Sequence, residues 1–184
     1  INMLLHIDIL MFYGIDKRLS KCEDDIRELY DYLGKIEAAL AVDSFRKSLN
    51  MWCRPEFIEE DSNSEYCIKD VYHPLVEKPV LNDVDASKSL LITGANASGK
   101  STFLRAVGLS VIMAQTINTV CARSYKMPYM RVYSSMAIAD SIQDGDSFFM
   151  AEVKSLKRII DASNTEGDRV ICFVDEILKG TNTI

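Results

Sequence analysis

The sequence predicts an α/β fold for most of the chain, preceded by a helical segment. From about Tyr66 onward, short apolar runs alternate with stretches of helical spacing, which is typical of strands and helices in alternation. A glycine-rich loop, TGANASGKST, lies between an apolar run and a helical stretch. Near the end of the chain, RVICFVDE is typical of a strand buried in a parallel sheet.

The composition suits one globular domain with an appendage. The chain has 184 residues, 48% hydrophobic and 26% charged, and its formal net charge is -6. This acidic balance excludes an extensive basic footprint, so DNA contact is expected in a small patch or outside these residues. The five cysteines contain no C-x-x-C pair, and with two histidines they do not predict a zinc site. Such cysteines are typical of a reducing cytosol, and we expect a cytoplasmic protein.

The opening segment, INMLLHIDILMFYG, predicts a buried helix rather than a membrane span. Its apolar run contains His6 and Asp8 and is shorter than the roughly 20 apolar residues that cross a bilayer. We therefore expect no membrane contact from it. Because position 1 is not Met and the chain stops at Ile184, just past an apolar strand, we expect a fragment cut at both ends.

Residues 15 to 40 carry apolar residues at alternating steps of four and three, which predicts a long helical seam with Asp16 as its N-cap. Two interpretations stay open, a helix packed in its own domain and a lever packed on other helices. Arg54-Pro55 is predicted to end the helical part, which gives a helical lever or connector segment over 1–55 and an α/β domain over 56–184. The seam comprises Ile15, Leu19, Cys22, Ile26, Leu29, Leu33, Ile36 and Leu40.

The elements of the α/β part follow from its apolar runs and turn residues. After the polar connector EFIEEDSNSE, YCIKDVYHPLVE predicts a strand and a bend at His73-Pro74. SLLITG predicts a buried strand before the loop, and a helix is predicted from Lys100 to about Asn118. YMRVYSSMAI predicts a strand, and Ser147 is predicted to begin a further helix. The apolar stripe of that helix comprises Phe148, Phe149, Met150, Val153, Leu156, Ile159 and Ile160.

The glycine-rich loop matches the pattern G-x-x-x-x-G-K-[ST], which cradles phosphates. Its glycines let backbone N–H groups turn toward one point, and the N-terminus of the next helix adds positive potential. Lys100 is predicted to reach the β- and γ-phosphates, and Ser101 to hold Mg²⁺ through its hydroxyl. A turn of small residues is the alternative. The predicted nucleotide contacts comprise Gly94, Ala95, Asn96, Ala97, Ser98, Gly99, Lys100, Ser101 and Thr102.

A pair of carboxylates at a strand end supplies the second part of the predicted site. The run ICFVDE delivers Asp175 and Glu176 to the end of an apolar strand. Asp175 is predicted to hold the Mg²⁺ shell. Glu176 is predicted to orient or deprotonate water for attack on the γ-phosphate, which favours an ATPase over a kinase. Glu176 and Lys100 are therefore the candidate catalytic residues.

Three motifs in this order resemble the ATPase domain of MutS-type DNA mismatch repair proteins: TGANASGKSTFLRAVGLSVIMAQ, DGDSFFMAEVKSLKRII and VICFVDEILKGTNT. LAVDSFRKSLNMWCRPEF and IKDVYHPLVE are similar to that family's entry from lever helices, so the resemblance covers about residues 35 to 184. It implies a P-loop NTPase of ABC-ATPase type, incomplete here at its C-terminus, that binds ATP and Mg²⁺ and works as a head-to-head homodimer.

The resemblance also implies partners and one shared site residue. Mismatched or structured DNA would be bound mainly by parts outside these residues, and a downstream repair factor is a further implied partner. Ser147 would reach the γ-phosphate of the nucleotide on the other subunit. Because dimer contacts and a switch histidine are expected beyond Ile184, these residues alone are expected to hydrolyse ATP weakly or not at all.

Several motif positions depart from the family's usual residues. Ala95 stands where proline is usual, Ala97-Ser98 where Met-Gly is favoured, and Phe148 where threonine is usual. Leu178-Lys179 follows the acidic pair in place of Gly-Arg. Two alternatives stay open beside mismatch repair: a related ATPase acting on recombination intermediates or another DNA structure, and a nucleotide-gated dimerisation module in which turnover is incidental.

Two residues outside the motifs have more modest predicted roles. The aromatic residue that usually stacks on adenine is not evident near PVLND, and Leu81 is the expected apolar substitute. His73 is predicted to be a hydrogen-bonded residue at the bend before Pro74 rather than a catalytic group.

Overall fold

A computed structural model describes residues 7–59, 65–95, 97–136, 148–165, 167 and 169–175. The chain divides into two compact units, Ile1–Ser48 and Leu49–Ile184. The elements are α1 (Ile7–Leu19), α2 (Glu23–Ser48), β1 (Glu56–Phe57), β2 (Cys67–Val71), β3 (Asn82–Asp85), α3 (Lys100–Ile117), β4 (Ser124–Met127), β5 (Arg131–Ser135), α4 (Phe148–Ser163) and β6 (Val170–Val174).

The first unit consists of two consecutive helices, with a break inside the predicted seam. In residues 20–22 the amides of Lys21 and Cys22 donate to carbonyls three residues earlier, at 3.2 and 3.0 Å. The Ser20 hydroxyl donates to the Asp16 carbonyl at 2.9 Å, so Asp16 lies in the last turn of α1, and its prediction as an N-cap is wrong. The first turn of α2 is acidic from Glu23 onward, which favours a new helix start because carboxylates stabilise the positive end of the helix dipole.

Neither α1 nor α2 has a buried residue within the described chain. The prediction of a buried opening helix is therefore wrong in its burial, since α1 forms but Phe12 is 72% exposed. Apolar periodicity can form a helix face, but only another element can cover it. The helical part is also shorter than predicted, because α2 ends at Ser48 rather than at Arg54. Among the described helices, none has both the length and the apolar character that a membrane crossing requires.

The second unit is mixed α/β, which confirms the predicted class at that level. Its four-stranded sheet has the order β1-β4-β2-β3, in which β1 and β4 are parallel and the other pairs are antiparallel. β5 and β6 form a separate parallel pair, with Arg131 opposite Val170 and Ser135 opposite Val174. Parallel neighbours need a crossover connection, and the chain between these two strands contains α4.

Three segments differ from their predicted form. SLLITG forms no strand within the described residues, and Leu91 is 91% exposed. A strand needs a hydrogen-bonding neighbour for its backbone, and apolar character alone does not supply one. β6 does form in parallel pairing, but Phe173 is buried while Cys172 is exposed, so the strand is not buried throughout. The segment predicted as a polar connector begins with β1, which pairs with β4.

The core of the second unit includes one face of α3, residues of the four-stranded sheet and one residue of β6. α3 spans Lys100–Ile117, as predicted, and Asn118 caps it in a left-handed conformation, which asparagine tolerates. The buried core comprises Ile68, Val71, Val84, Ala106, Val107, Val111, Ala114, Val120, Ala122, Tyr125, Met127 and Phe173.

The helix predicted to begin at Ser147 is α4, although Ser147 itself lies outside the described residues. Its predicted apolar stripe is only partly buried. Ile159 is buried while Ile160 is 58% exposed, and the carboxylate residue Glu152 is buried on the same helix. α4 contacts β5 and β6, and a sheet of two strands covers only part of a helix face.

Candidate functional site

The glycine-rich loop leads directly into α3 and has two residues in left-handed conformations. Gly99, at the start of the helix, has φ 93° and ψ 9°, which glycine adopts without steric cost. Ala97 has φ 63°, a conformation that costs a residue with a β-carbon about 1 kcal/mol. The loop thus holds backbone strain among the predicted phosphate contacts, and strain of this kind is concentrated at functional sites.

The side chain of Lys100 folds back over the loop. Its Nζ donates to the carbonyl oxygens of Gly94 at 2.7 Å and of Ala95 at 2.9 Å. These two bonds hold one positive charge above the loop backbone. The oxygens of an anion would offer the ammonium a charged acceptor, and Coulomb attraction would add to the hydrogen bonds that neutral carbonyls already accept.

Gly94 and Ser98 approach each other closely across the loop. A β-carbon on Gly94 would lie 2.9 Å from Ser98 Oγ, closer than non-bonded atoms normally come. The backbone amide of Ser98 donates to the carbonyl of Ala95 at 3.2 Å, which closes the turn between them. The compact turn therefore leaves room for glycine at position 94 while the Ser98 hydroxyl keeps its present orientation.

A cavity of about 520 Å³ lies between the loop and the segment that joins β2 to β3. Its volume is in the range of small-molecule sites, about 300 to 1,000 Å³. The loop and the first two turns of α3 form one wall, in which Ser98, Lys100 and Phe103 take part. Residues 73–83 supply most of the opposite wall. Leu81 is the one residue among them for which the sequence predicted a nucleotide contact.

The opposite wall begins with the predicted bend, which is confirmed. The carbonyl of His73 accepts from the amide of Val76 at 3.1 Å, and its ring Nδ1 accepts from the amide of Leu75 at 3.3 Å. Val80 and Asn82 line the cavity, whereas Leu81 between them does not. Within residues 73–83 the apolar lining comprises Val76, Pro79 and Val80, and a contact of Leu81 with adenine stays a prediction.

A bulge in β2 anchors this wall to the sheet. The register of β2 against β3 shifts at the bulge, where Asp70 has φ 53°. The Asp83 carboxylate accepts from the amide of Asp70 at 3.0 Å and from Lys69 Nζ at 3.2 Å. These bonds, that to the Asp70 amide first, hold the pKa of Asp83 below its ordinary value. Arg123 Nε donates to the Asp70 carboxylate at 2.5 Å, which ties the bulge to the residue preceding β4.

Asp175 follows β6 directly and is half-buried. Its amide donates to the Ser135 carbonyl at 3.1 Å, which extends the parallel pairing past the end of β6. β6 and α3 touch where Gly108 faces the ring of Phe173, so Ser101 and Asp175 lie on elements that pack together. Three predicted site residues, Asn96, Ser147 and Glu176, lie outside the described residues.

A glycine-rich loop before a helix, a lysine over that loop and a strand-end carboxylate define a mixed α/β protein with a candidate phosphate-binding site. Residues 90–184 match the family model described as MutS domain V. The chain belongs to the MutS family.

Individual relatives match over nearly the whole chain. The DNA mismatch repair protein MutS of Thermosipho melanesiensis is 29% identical over 185 residues, covering 96% of this chain and 22% of that protein. MutS protein homolog 4 of Mus musculus is 32% identical over 179 residues, covering 91% of this chain and 18% of that protein. The DNA mismatch repair protein MutS of Lactobacillus delbrueckii is 33% identical over 169 residues, covering 86% of this chain and 19% of that protein. The chain spans about a fifth of the length of these relatives.

Proposed function

We propose that this chain is the ATP-binding and ATP-hydrolysing part of a MutS-type DNA mismatch repair protein. Binding and hydrolysis of Mg-ATP in a dimer would be coupled to binding of mismatched DNA and to switching of a clamp. The observation that carries the proposal is the Lys100 ammonium held over the loop at one wall of a cavity of about 520 Å³. Membership of the MutS family supports it.

The two walls of the cavity suit the two ends of a nucleotide. The loop offers small side chains, the N-terminus of α3 and the charge of Lys100, all of which favour a polyphosphate. No acidic residue occurs from Gly94 to Thr102 to oppose that charge. The opposite wall offers the apolar side chains of Val76, Pro79 and Val80 to a base. This division of polar and apolar lining is typical of small-molecule sites.

Magnesium would be held by Ser101 and Asp175, whose hydroxyl and carboxylate oxygens are the kind of ligand it prefers. The ion would supply positive charge that offsets the negative charge developing on the phosphate oxygens. Lys100 would bind the β- and γ-phosphates, and Glu176 would orient or deprotonate the attacking water. Ser147 would complete the site of the other subunit in a homodimer.

The wider organisation belongs to the same proposal. Residues 1–55 would form the lever and connector segment, in which the described helices end at Ser48, and residues 56–184 would form a P-loop domain of ABC-ATPase type. The division into compact units at Ser48 and Leu49 supports a boundary in this region. Other parts of the protein would contact the DNA and a downstream repair factor, and the site of action would be the cytoplasm.

A second candidate is a MutS-related ATPase that acts on recombination intermediates or another DNA structure. The observation in its favour is that MutS protein homolog 4 of Mus musculus matches at 32%, between the 29% and 33% of the two mismatch repair proteins. Sequence identity in this part of the chain therefore does not separate the two branches.

Lys100→Ala tests the site directly, in the protein at its full natural length. Removing the ammonium leaves phosphate charge without its partner, so ATP affinity measured by calorimetry should fall by roughly 30-fold or more. Lys157→Ala, which removes an exposed lysine of α4, is the matched control and should leave the affinity unchanged. Unchanged ATP binding in Lys100→Ala would contradict the assignment of the loop to phosphate.

A further inference from the structure

His73 lies just beyond the end of β2, and its side chain lines the cavity on the wall opposite the loop. We propose that His73 binds the nucleoside part of the nucleotide by donating a hydrogen bond from Nε2. This inference rests on the proposed function, because it requires that the cavity holds ATP. It adds a binding role to a residue whose sequence context predicted only a bend.

The hydrogen bonds of the bend determine which ring nitrogen is the donor. Nδ1 accepts from the amide of Leu75 at 3.3 Å, so this nitrogen carries no proton. A neutral imidazole has one accepting and one donating nitrogen, and the proton therefore lies on Nε2. The backbone at His73 is held as well, because its carbonyl accepts from Val76 and Pro74 restricts the residue before it. The ring is thus positioned by the chain before any ligand binds.

Two other polar side chains of this wall, those of Asn82 and Asp83, already make hydrogen bonds within the protein. The side-chain amide of Asn82 donates to the carbonyl of Val80 at 3.0 Å. The two oxygens of Asp83 accept from the amide of Asp70 and from Lys69. Among the described residues, no group accepts from Nε2 of His73, which leaves this N–H for a ligand.

The chemistry of Nε2–H suits the uncharged part of a nucleotide. The phosphates would lie at the loop, where Lys100 supplies charge. Lys78 also lines the cavity, but an ammonium favours an anionic partner. A neutral N–H matches the ring nitrogens of a base or the oxygens of a ribose, and beside it Val76, Pro79 and Val80 offer apolar contact. We therefore assign His73 to the nucleoside rather than to the phosphates.

Two substitutions separate the proposed contact from a role in the bend. In His73→Asn, the amide oxygen can replace Nδ1 as the acceptor for Leu75, while the Nε2 donor is lost. In His73→Gln, the longer side chain can return an N–H to the position of Nε2, while the acceptor of the bend is lost. A nucleoside contact predicts that Asn is the damaging change, and a purely structural role predicts that Gln is.

The measurement is the affinity for ATP and for inorganic tripolyphosphate, in the protein at its full natural length. His73→Asn should weaken ATP binding roughly threefold to tenfold, the size of one net hydrogen bond, and leave tripolyphosphate binding unchanged. His73→Gln should bind both ligands nearly as the unsubstituted protein does. Lys100→Ala should weaken the binding of both ligands, which shows that each uses the loop.

The outcomes distinguish this inference from the proposed function. If His73→Asn binds ATP normally, or loses ATP and tripolyphosphate binding equally, then His73 does not contact the nucleoside and the inference is overturned alone. If the unsubstituted protein binds neither ligand, or binds them independently of Lys100, then the proposed function fails and the inference fails with it.

Discussion

Gly108 in α3 lies against the ring of Phe173 in β6, and a β-carbon on Gly108 would stand 3.4 Å from Cε2 of that ring. Both residues are buried, and the contact joins the helix after the loop to the strand before Asp175. Through it, the two parts of the candidate site share one packed interface. The separation of loop and carboxylate therefore depends on how closely α3 approaches β6.

Enlarging Gly108 should separate these elements. Gly108→Val places branched methyl groups against the Phe173 ring, and such overpacking should lower the free energy of unfolding by about 1 to 3 kcal/mol. Chemical denaturation measures the change. Gly34→Val is the matched control, because Gly34 also lies in a helix but has nothing within 4 Å of its would-be β-carbon. Equal stability of the two variants would contradict close packing at Gly108.

The close approach of Gly94 and Ser98 predicts a rescue by a second substitution. Gly94→Ala forces the Ser98 hydroxyl out of its present rotamer, which should weaken ATP binding roughly threefold to tenfold. Ser98→Gly removes the obstructing hydroxyl, so the double variant should bind ATP more tightly than Gly94→Ala. Calorimetry on the three variants checks this. If the double variant binds ATP no more tightly than Gly94→Ala alone, the loss of affinity does not arise from the contact between residues 94 and 98.

Substitution of Glu176 should separate binding from chemistry. Glu176→Gln keeps the shape of the side chain and removes the base, so turnover should fall by roughly 10² to 10⁴. ATP affinity should change little, because the loop and Lys100 are intact. Steady-state hydrolysis and calorimetry measure the two effects in the protein at its full natural length. Glu77→Gln, which changes an exposed carboxylate near the bend, is the control and should change neither turnover nor ATP affinity. Normal turnover in Glu176→Gln would mean that another group activates the attacking water.

The hydrogen bonds of Asp83 predict how the wall between β2 and β3 responds to acid. Because its pKa in the folded protein lies below the ordinary value of 3.8, the charged form contributes stability above pH 3.8. That contribution is lost as the pH falls through the lower pKa of the folded state, and Asp83→Asn never has it. The difference in thermal midpoint between the protein and Asp83→Asn should therefore shrink on acidification. A difference that stays constant down to about pH 2 would mean that the Asp83 charge does not contribute.

The sequence by itself determined the local elements whose signals lie within a few residues. The glycine-rich loop that ends at Gly99 predicted that α3 begins at Lys100, and the end of α3 at Ile117 was predicted to within one residue. The bend after His73 followed from the proline at position 74. The motif order predicted a family to which the chain does belong. These predictions succeed because turn chemistry and helix spacing act between neighbours in the chain.

Tertiary structure alone decided which segments gain partners. Leu91 has the apolar character of a buried strand yet is exposed, while Glu56–Phe57, which begins the segment predicted as a polar connector, pairs with β4. Likewise, only the tertiary structure shows that Val80 lines the cavity and Leu81 does not. Strand pairing and burial join residues that are distant in sequence, and their free energy depends on surfaces that no local pattern encodes.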